Sequence, residues 1–246
     1  MSLLRSVLFT TPLIALATIV MGTISLLATI FDPSGRASHL VARAWGRFLL
    51  AVSFIRVRAE GIEKIDPEGC YVFVANHTSF MDIPAILAAL PCQFRFFAKK
   101  GLFSIPFLGT HLKRAGHIPV ERSSPRASVK SMALGAEVIA RCRVSLLLFP
   151  EGGRTPAGMG LREFREGAAY IAIKAGVPIV PIGILGLKPL LPMGSIHIRS
   201  GRGVLHIGDP IPTAGLTVRD RAELNQRLFD ELGRLTGVRP HDAVLS

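Results

Sequence analysis

Asn76-His77-Thr78-Ser79-Phe80-Met81-Asp82 sets an imidazole and a carboxylate five positions apart, directly after the apolar run Tyr71-Val72-Phe73-Val74-Ala75. A histidine with a carboxylate at its second ring nitrogen is a candidate general base with its orienting partner. In a continuous helix, positions five apart lie about 140° apart around the axis, so His77 and Asp82 meet only where the chain turns between them. The run before them is β-prone, and Ile83-Pro84-Ala85-Ile86-Leu87 after them starts a helix with proline in its first turn, which puts the pair in a strand-to-helix loop. A second reading of the same residues makes Asp82 the N-cap of that helix and nothing more.

Phe149-Pro150-Glu151-Gly152-Gly153-Arg154-Thr155 repeats the pattern, with charge collecting just after the strand-length apolar run Val144-Ser145-Leu146-Leu147-Leu148. In open α/β sheets the ligand crevice lies outside the carboxyl ends of the strands. Two glycines there let backbone N–H groups approach an anion beside the Arg154 guanidinium. The competing reading pairs Glu151 with Arg154 across a tight turn.

The elements that must carry these loops are legible from periodicity. Residues 127–142 place Val129, Met132, Ala133, Ala136 and Ile139 on one helical face. Residues 168–175 read as a helix ended by Gly176, and 222–235 as an amphipathic helix near the C-terminus. Alternation of such helices with strand-length runs indicates an α/β domain.

Four ordered blocks resemble the glycerolipid acyltransferases, and within them the bacterial 1-acylglycerol-3-phosphate acyltransferases. Asn76-His77 through Asp82 is similar to the family's first motif, Gly116-His117-Ile118-Pro119-Val120-Glu121-Arg122 to its second, Phe149 through Thr155 to its third, and Val177-Pro178-Ile179-Val180-Pro181-Ile182 to its fourth. The resemblance covers about residues 59–215. The chain departs from the pattern at Gly153, where threonine is usual, at Thr155, where serine is usual, and at Pro119, where an aromatic is usual.

This resemblance implies an α/β fold with a mixed central sheet flanked by helices, preceded by an N-terminal membrane-binding two-helix segment. It divides the chain into residues 1–58 and an acyltransferase domain over 59–246. The implied reaction moves an acyl group from an acyl-carrier-protein or acyl-CoA thioester to the sn-2 hydroxyl of 1-acylglycerol 3-phosphate, making phosphatidic acid for phospholipid biosynthesis. A different lysolipid acceptor, such as lyso-ornithine lipid, is the alternative. His77 would be the base and Asp82 its orienting partner. Arg154, with Arg122 and Lys99, would hold the acceptor phosphate, and Glu151 and Gly152 would complete the acceptor site. The thioester arrives activated, so no metal or other cofactor is called for.

Composition agrees with a membrane-surface enzyme. The chain is 49% hydrophobic, and residues 7–31 carry no charge, long enough to cross a bilayer core. Residues 40–54 mix Arg43, Trp45 and Arg47 with Leu40, Val41, Phe48, Leu49 and Leu50, a mixture suited to the interface. Such a pair either includes a spanning helix or dips into one leaflet. Arg36, Arg43, Arg47, Arg56 and Arg58 follow the apolar run while Arg5 alone precedes it, so the positive-inside tendency places the large domain on the cytoplasmic face of the inner membrane. Three cysteines without metal-ligand spacing fit a reducing compartment.

A net charge of +12 suits anionic lipid headgroups and a phosphopantetheine-bearing donor. Nucleic acid is a poor fit, since there are two tyrosines, one tryptophan and no recognition motif. A serine hydrolase would want a Gly-x-Ser-x-Gly elbow, and none occurs. A metal phosphoesterase built on His77, Asp82, His111, His117 and Glu151 lacks compact ligand spacing. A non-enzymatic basic membrane adaptor would leave His77 without a task.

Overall fold

The structure is a computed structural model, and it describes residues 2–121, 124–156 and 159–237. It opens with one helix, Ser2–Phe31, in which α1 (Ser2–Arg5) passes through a π-helical turn into α2 (Thr11–Phe31). Asp32 then turns the chain: its carboxylate accepts from the N–H groups of Ser34 and Ala37, and Gly35 adopts φ 70°. The chain returns through α3 (Arg36–Val52). The helical hairpin implied by the resemblance is therefore present, with α1 added in front of it.

Seven strands follow: β1 (Ile55–Glu60), β2 (Val72–Ala75), β3 (Phe94–Lys99), β4 (Ile118–Val120), β5 (Ser145–Leu148), β6 (Ile179–Leu185) and β7 (Gly201–Ile207). They form one sheet in the order β1-β7-β6-β2-β5-β3-β4. All neighbours are parallel except β6 and β7, so the sheet is mixed, as implied. The helices between them are α4 (Asp82–Ala89), α5 (Leu108–Arg114), α6 (Pro125–Cys142) and α7 (Gly167–Ala175), and α8 (Arg221–Thr236) follows β7. Ser124 caps α6 by accepting from the Ala127 N–H, with Pro125 in the first turn. An expected domain boundary at residue 58 would cut β1, which pairs with β7 along its whole length from Ile55 to Glu60; the sheet thus begins before that boundary.

Strand alternation divides the core into two layers. Phe73, Ala75, Leu147, Val180 and Ile182 face a cluster with Ile86, Leu87 and Phe94, while Val72, Val74, Leu146, Leu148 and Ile179 face one with Ile139, Ile171 and Leu228. Fully burying one such aliphatic or aromatic side chain contributes about 1.5–3 kcal/mol. Over the first layer lies α4, then α3, and α2 packs on α3. Gly46 of α3 lets that helix sit close on α4, because a Cβ there would lie 2.8 Å from the Pro84 carbonyl oxygen. The α1–α2 helix is left almost bare, with Leu16, Ile19, Val20, Ile24 and Leu27 exposed.

Candidate active site

β2 and β5 are adjacent and parallel, so the loops that follow them leave the same edge of the sheet. His77 stands two residues beyond β2, and Asp82 is the first residue of α4. The loop between them closes so that Asp82 Oδ2 accepts from His77 Nδ1 at 2.8 Å, from the Thr78 N–H at 2.7 Å and from the Ser79 N–H at 2.8 Å. Asp82 therefore caps the preceding loop, and α4 itself starts without a side-chain cap. With Nδ1 donating to the carboxylate, Nε2 of His77 is the acceptor nitrogen, the form a base requires. The ring is stacked on Phe149 from the β5 loop, with centroids 3.9 Å apart and planes 13° apart. Asn76 fixes the loop's root: its side chain donates to the Ile184 carbonyl and accepts from the Ile184 N–H, extending the β2–β6 ladder by one side-chain step.

The second loop is tied to the first from below. Glu151 is buried, accepts the His77 N–H at 2.8 Å and pairs through its other oxygen with the Thr155 hydroxyl, while the Thr155 N–H donates to the His77 carbonyl at 2.7 Å. The Glu151–Arg154 pairing does not form. Burial raises the Glu151 carboxyl to about 7, against a lowering effect from the His77 N–H and the Arg162 charge. Gly152 takes φ 76°, a left-handed turn that sends Arg154 outward while Glu151 stays inside. Gly153 departs from the family pattern without a packing cost, since a Cβ there would meet nothing within 4 Å.

Arg154 returns to the first loop. Its Nε donates to the Ser79 carbonyl at 3.3 Å, and its guanidinium lies 3.8 Å from the centroid of the Phe80 ring. Ser79 is also anchored, its hydroxyl donating to the Leu191 carbonyl. The two motifs thus meet through backbone, with the imidazole and the guanidinium on one sheet edge. Lys99 is exposed at the end of β3, next to β5 on that edge but one strand farther from His77. Arg122 lies outside the described residues.

Four positioning residues were not singled out by spacing: Asn76, Ser79, Phe149 and Thr155. All four act across separations of more than a hundred residues or between the two loops, and local patterns carry no such information. Their proximity to the motif residues was the available signal.

His117 in the second block has a different role. Its Nδ1 accepts the Phe96 N–H at 2.9 Å, which ties the start of β4 to β3. Desolvation, then the Arg95 charge, pushes its imidazole down to about 3. Arg95 explains both neighbouring glycines: a Cβ at Gly35 would lie 2.6 Å from its Nη2, and one at Gly116 would lie 3.1 Å from its Nε.

Residues 56–185 match the acyltransferase family, a block that contains His77, Asp82, Glu151 and Arg154. A chloroplastic 1-acyl-sn-glycerol-3-phosphate acyltransferase of Arabidopsis thaliana is 34% identical over 182 residues, covering 73% of this chain and 48% of the relative. The 1-acyl-sn-glycerol-3-phosphate acyltransferase of Saccharomyces cerevisiae is 27% identical over 209 residues, 85% of this chain and 69% of its own. The chain spans about half the length of the first plant relatives it matches, 48% and 47%. The crystal structure of the 1-acyl-sn-glycerophosphate acyltransferase PlsC from Thermotoga maritima superposes with a TM-score of 0.79 at 26% identity, over 95% of each chain.

Proposed function

This chain belongs to the acyltransferase family, and from that membership we propose that it transfers an acyl group from a thioester to the sn-2 hydroxyl of 1-acylglycerol 3-phosphate, forming phosphatidic acid for phospholipid synthesis. The observation that carries the reading is the His77–Asp82 contact of 2.8 Å beside Arg154, on one sheet edge. His77 Nε2 takes the acceptor's hydroxyl proton as the oxygen bonds to the thioester carbonyl carbon. The resulting tetrahedral oxyanion collapses, the C–S bond breaks, and the imidazolium returns its proton to the thiolate. Asp82 keeps Nδ1 protonated throughout and stabilises the transient positive ring. Acceptor, thioester and imidazole balance the reaction without a further reagent.

Arg154 is assigned the acceptor phosphate. Its Nε is held by Ser79 and its plane by Phe80, which leaves the two Nη groups as a pre-oriented fork for phosphate oxygens. Lys99 and Arg122 are assigned to the same acceptor phosphate, and the donor is an acyl carrier protein or coenzyme A thioester. Glu151 acts on the acceptor site through the His77 backbone, and Gly152 by turning Arg154 toward it. The helices α1 to α3, Ser2 to Val52, are assigned the membrane attachment, with the catalytic domain on the cytoplasmic face of the inner membrane.

The test offers purified full-length protein a panel of lysolipids with acyl carrier protein and coenzyme A thioesters. Phosphatidic acid formed from 1-acylglycerol 3-phosphate, and lost in His77→Ala, is the expected result. Turnover of lyso-ornithine lipid without turnover of 1-acylglycerol 3-phosphate replaces the acceptor, and no acyl transfer to any lysolipid overturns the reading.

A further inference from the structure

Between β3 and α5 the chain makes a short 3₁₀ turn, Lys100–Ser104, and then enters α5 through Phe107. Leu102, Ile105, Phe107 and Leu108 are 37%, 46%, 43% and 37% exposed, four large apolar side chains gathered in one turn and helix start. Single exposed apolar residues are ordinary on protein surfaces; a run of them is not. This run is held rigidly. Phe107 has φ 66° and ψ −62°, a conformation that a bulky residue keeps only where its surroundings impose it. The imposing contact is α2: the Phe107 ring sits over Gly22, where a Cβ would lie 2.9 Å from the ring. One turn later His111 Nε2 and the Ser25 hydroxyl are 2.8 Å apart, and Ser25 is 2.6 Å from the Ser38 hydroxyl. The apolar run is therefore latched beside the bare helix, whose Leu16, Ile19, Val20, Ile24 and Leu27 are likewise exposed.

Charge names what covers it. Lys99 precedes the run with Lys100, which pairs with Glu121 at 2.6 Å, Lys113 and Arg114 follow it, and no acidic residue occurs from Phe94 to Val120. Apolar side chains collared by cations match a bilayer surface that carries anionic headgroups. We propose that the Leu102–Leu108 run is a second membrane-contact element, which seats on an anionic lipid surface beside the N-terminal helix. The inference rests on the membrane attachment proposed above and adds a site to it. Two contacts fix the domain's rotation about the hairpin, and the run directly continues from Lys99, on the sheet edge from which the His77 and Arg154 loops emerge. The seat thereby turns the acceptor site toward the headgroups.

The test uses full-length protein reconstituted in phosphatidylethanolamine/phosphatidylglycerol vesicles. The half-buried Cys70 and the exposed Cys142 are replaced by serine, and single cysteines are labelled with a fluorophore in Ile105→Cys, Leu16→Cys and Val129→Cys. Val129 is the control, exposed on α6 over the opposite face of the sheet. The label at 105 is expected to be quenched by nitroxide-bearing lipids to the same degree as that at 16 and to lose its iodide quenching; the label at 129 behaves in the opposite way. Lipid quenching at 16 with iodide quenching at 105 overturns the proposal and leaves the attachment intact. Iodide quenching at 16 overturns the attachment and the proposal with it. In Lys113→Glu/Arg114→Glu the lipid quenching at 105 should drop, and unchanged quenching overturns the anionic surface as the occupant.

Discussion

His77 and His117 pack against the same sheet in opposite electrostatic settings. His77 has its Nδ1 on a carboxylate that three N–H donors converge upon, and its ring lies flat on Phe149. His117 accepts a backbone N–H at Nδ1 and faces Arg95, whose guanidinium is wedged between two glycines. The first arrangement fixes the tautomer and leaves Nε2 free to accept; in the second, burial and the Arg95 charge penalise a charged ring. The comparison teaches that the group at the second nitrogen decides which chemistry a histidine is set up for. Both residues occur in motif-like blocks, and only their partners separate them.

The sharpest way to break the comparison is to remove each ring. On the proposed reaction, His77→Ala lowers kcat by ~100 to 10,000-fold, the usual worth of a general base, while His117→Gln keeps turnover within a few-fold. Steady-state rates on folded, membrane-bound protein decide it, and comparable losses in both would erase the distinction. Asp82→Asn follows, with a loss of roughly 1,000-fold, because the amide presents one acceptor oxygen and two donors to a cluster of three donors. An N-cap alone would tolerate asparagine, so near-normal activity would return Asp82 to a capping role.

Arg154→Ala should raise the KM for a phosphate-bearing acceptor about 10- to 100-fold, the worth of a charge-assisted hydrogen-bonded contact. Arg154→Lys recovers part of it, since an ammonium keeps the charge and loses the fork. Varying each substrate in turn separates the sites: a defect confined to the donor would move Arg154 there.

The smallest effects concern stability, and they have opposite signs in the two regions. Folding raises Glu151 from 4.5 to about 7, so between these values the folded state binds more protons and stability falls as pH rises. Glu151→Gln, which copies the protonated form, should match the parent near pH 4.5 and exceed it above pH 7, by about 1–3 kcal/mol. Folding lowers His117 from 6.5 to about 3. There the unfolded state binds the proton first, so stability is lost as pH falls from 6.5 toward 3, and His117→Gln should blunt that acid loss. Thermal unfolding across pH in detergent measures both. Parallel pH trends for the two variants would contradict the assigned settings.

Much of the fold was readable because its signals are short-ranged. The helix expected over 127–142 forms as Pro125–Cys142, and that over 222–235 as Arg221–Thr236; apolar residues at helical period and a Ser-Pro start suffice for that. The His77–Asp82 contact was readable for the same reason, since a loop closing over five positions needs no distant partner. Glu151 was harder. Spacing offered Arg154 as its partner, yet β5 lies beside β2, and a carboxylate turned inward there meets the His77 N–H and the Thr155 hydroxyl.

By itself, then, the sequence determined the strand-end loops, the helices at Pro125–Cys142 and Arg221–Thr236, the His77–Asp82 contact and the apolar N-terminal helix. All of these follow from contacts within a few residues or from composition. Tertiary structure alone decided the strand order that sets the two loops side by side, the inward Glu151 and outward Arg154, the neutral setting of His117 and the latching of Phe107 over Gly22. Each of those depends on segments far apart in the chain, and alternation of apolar residues states which face a strand buries without stating which strand lies next to it.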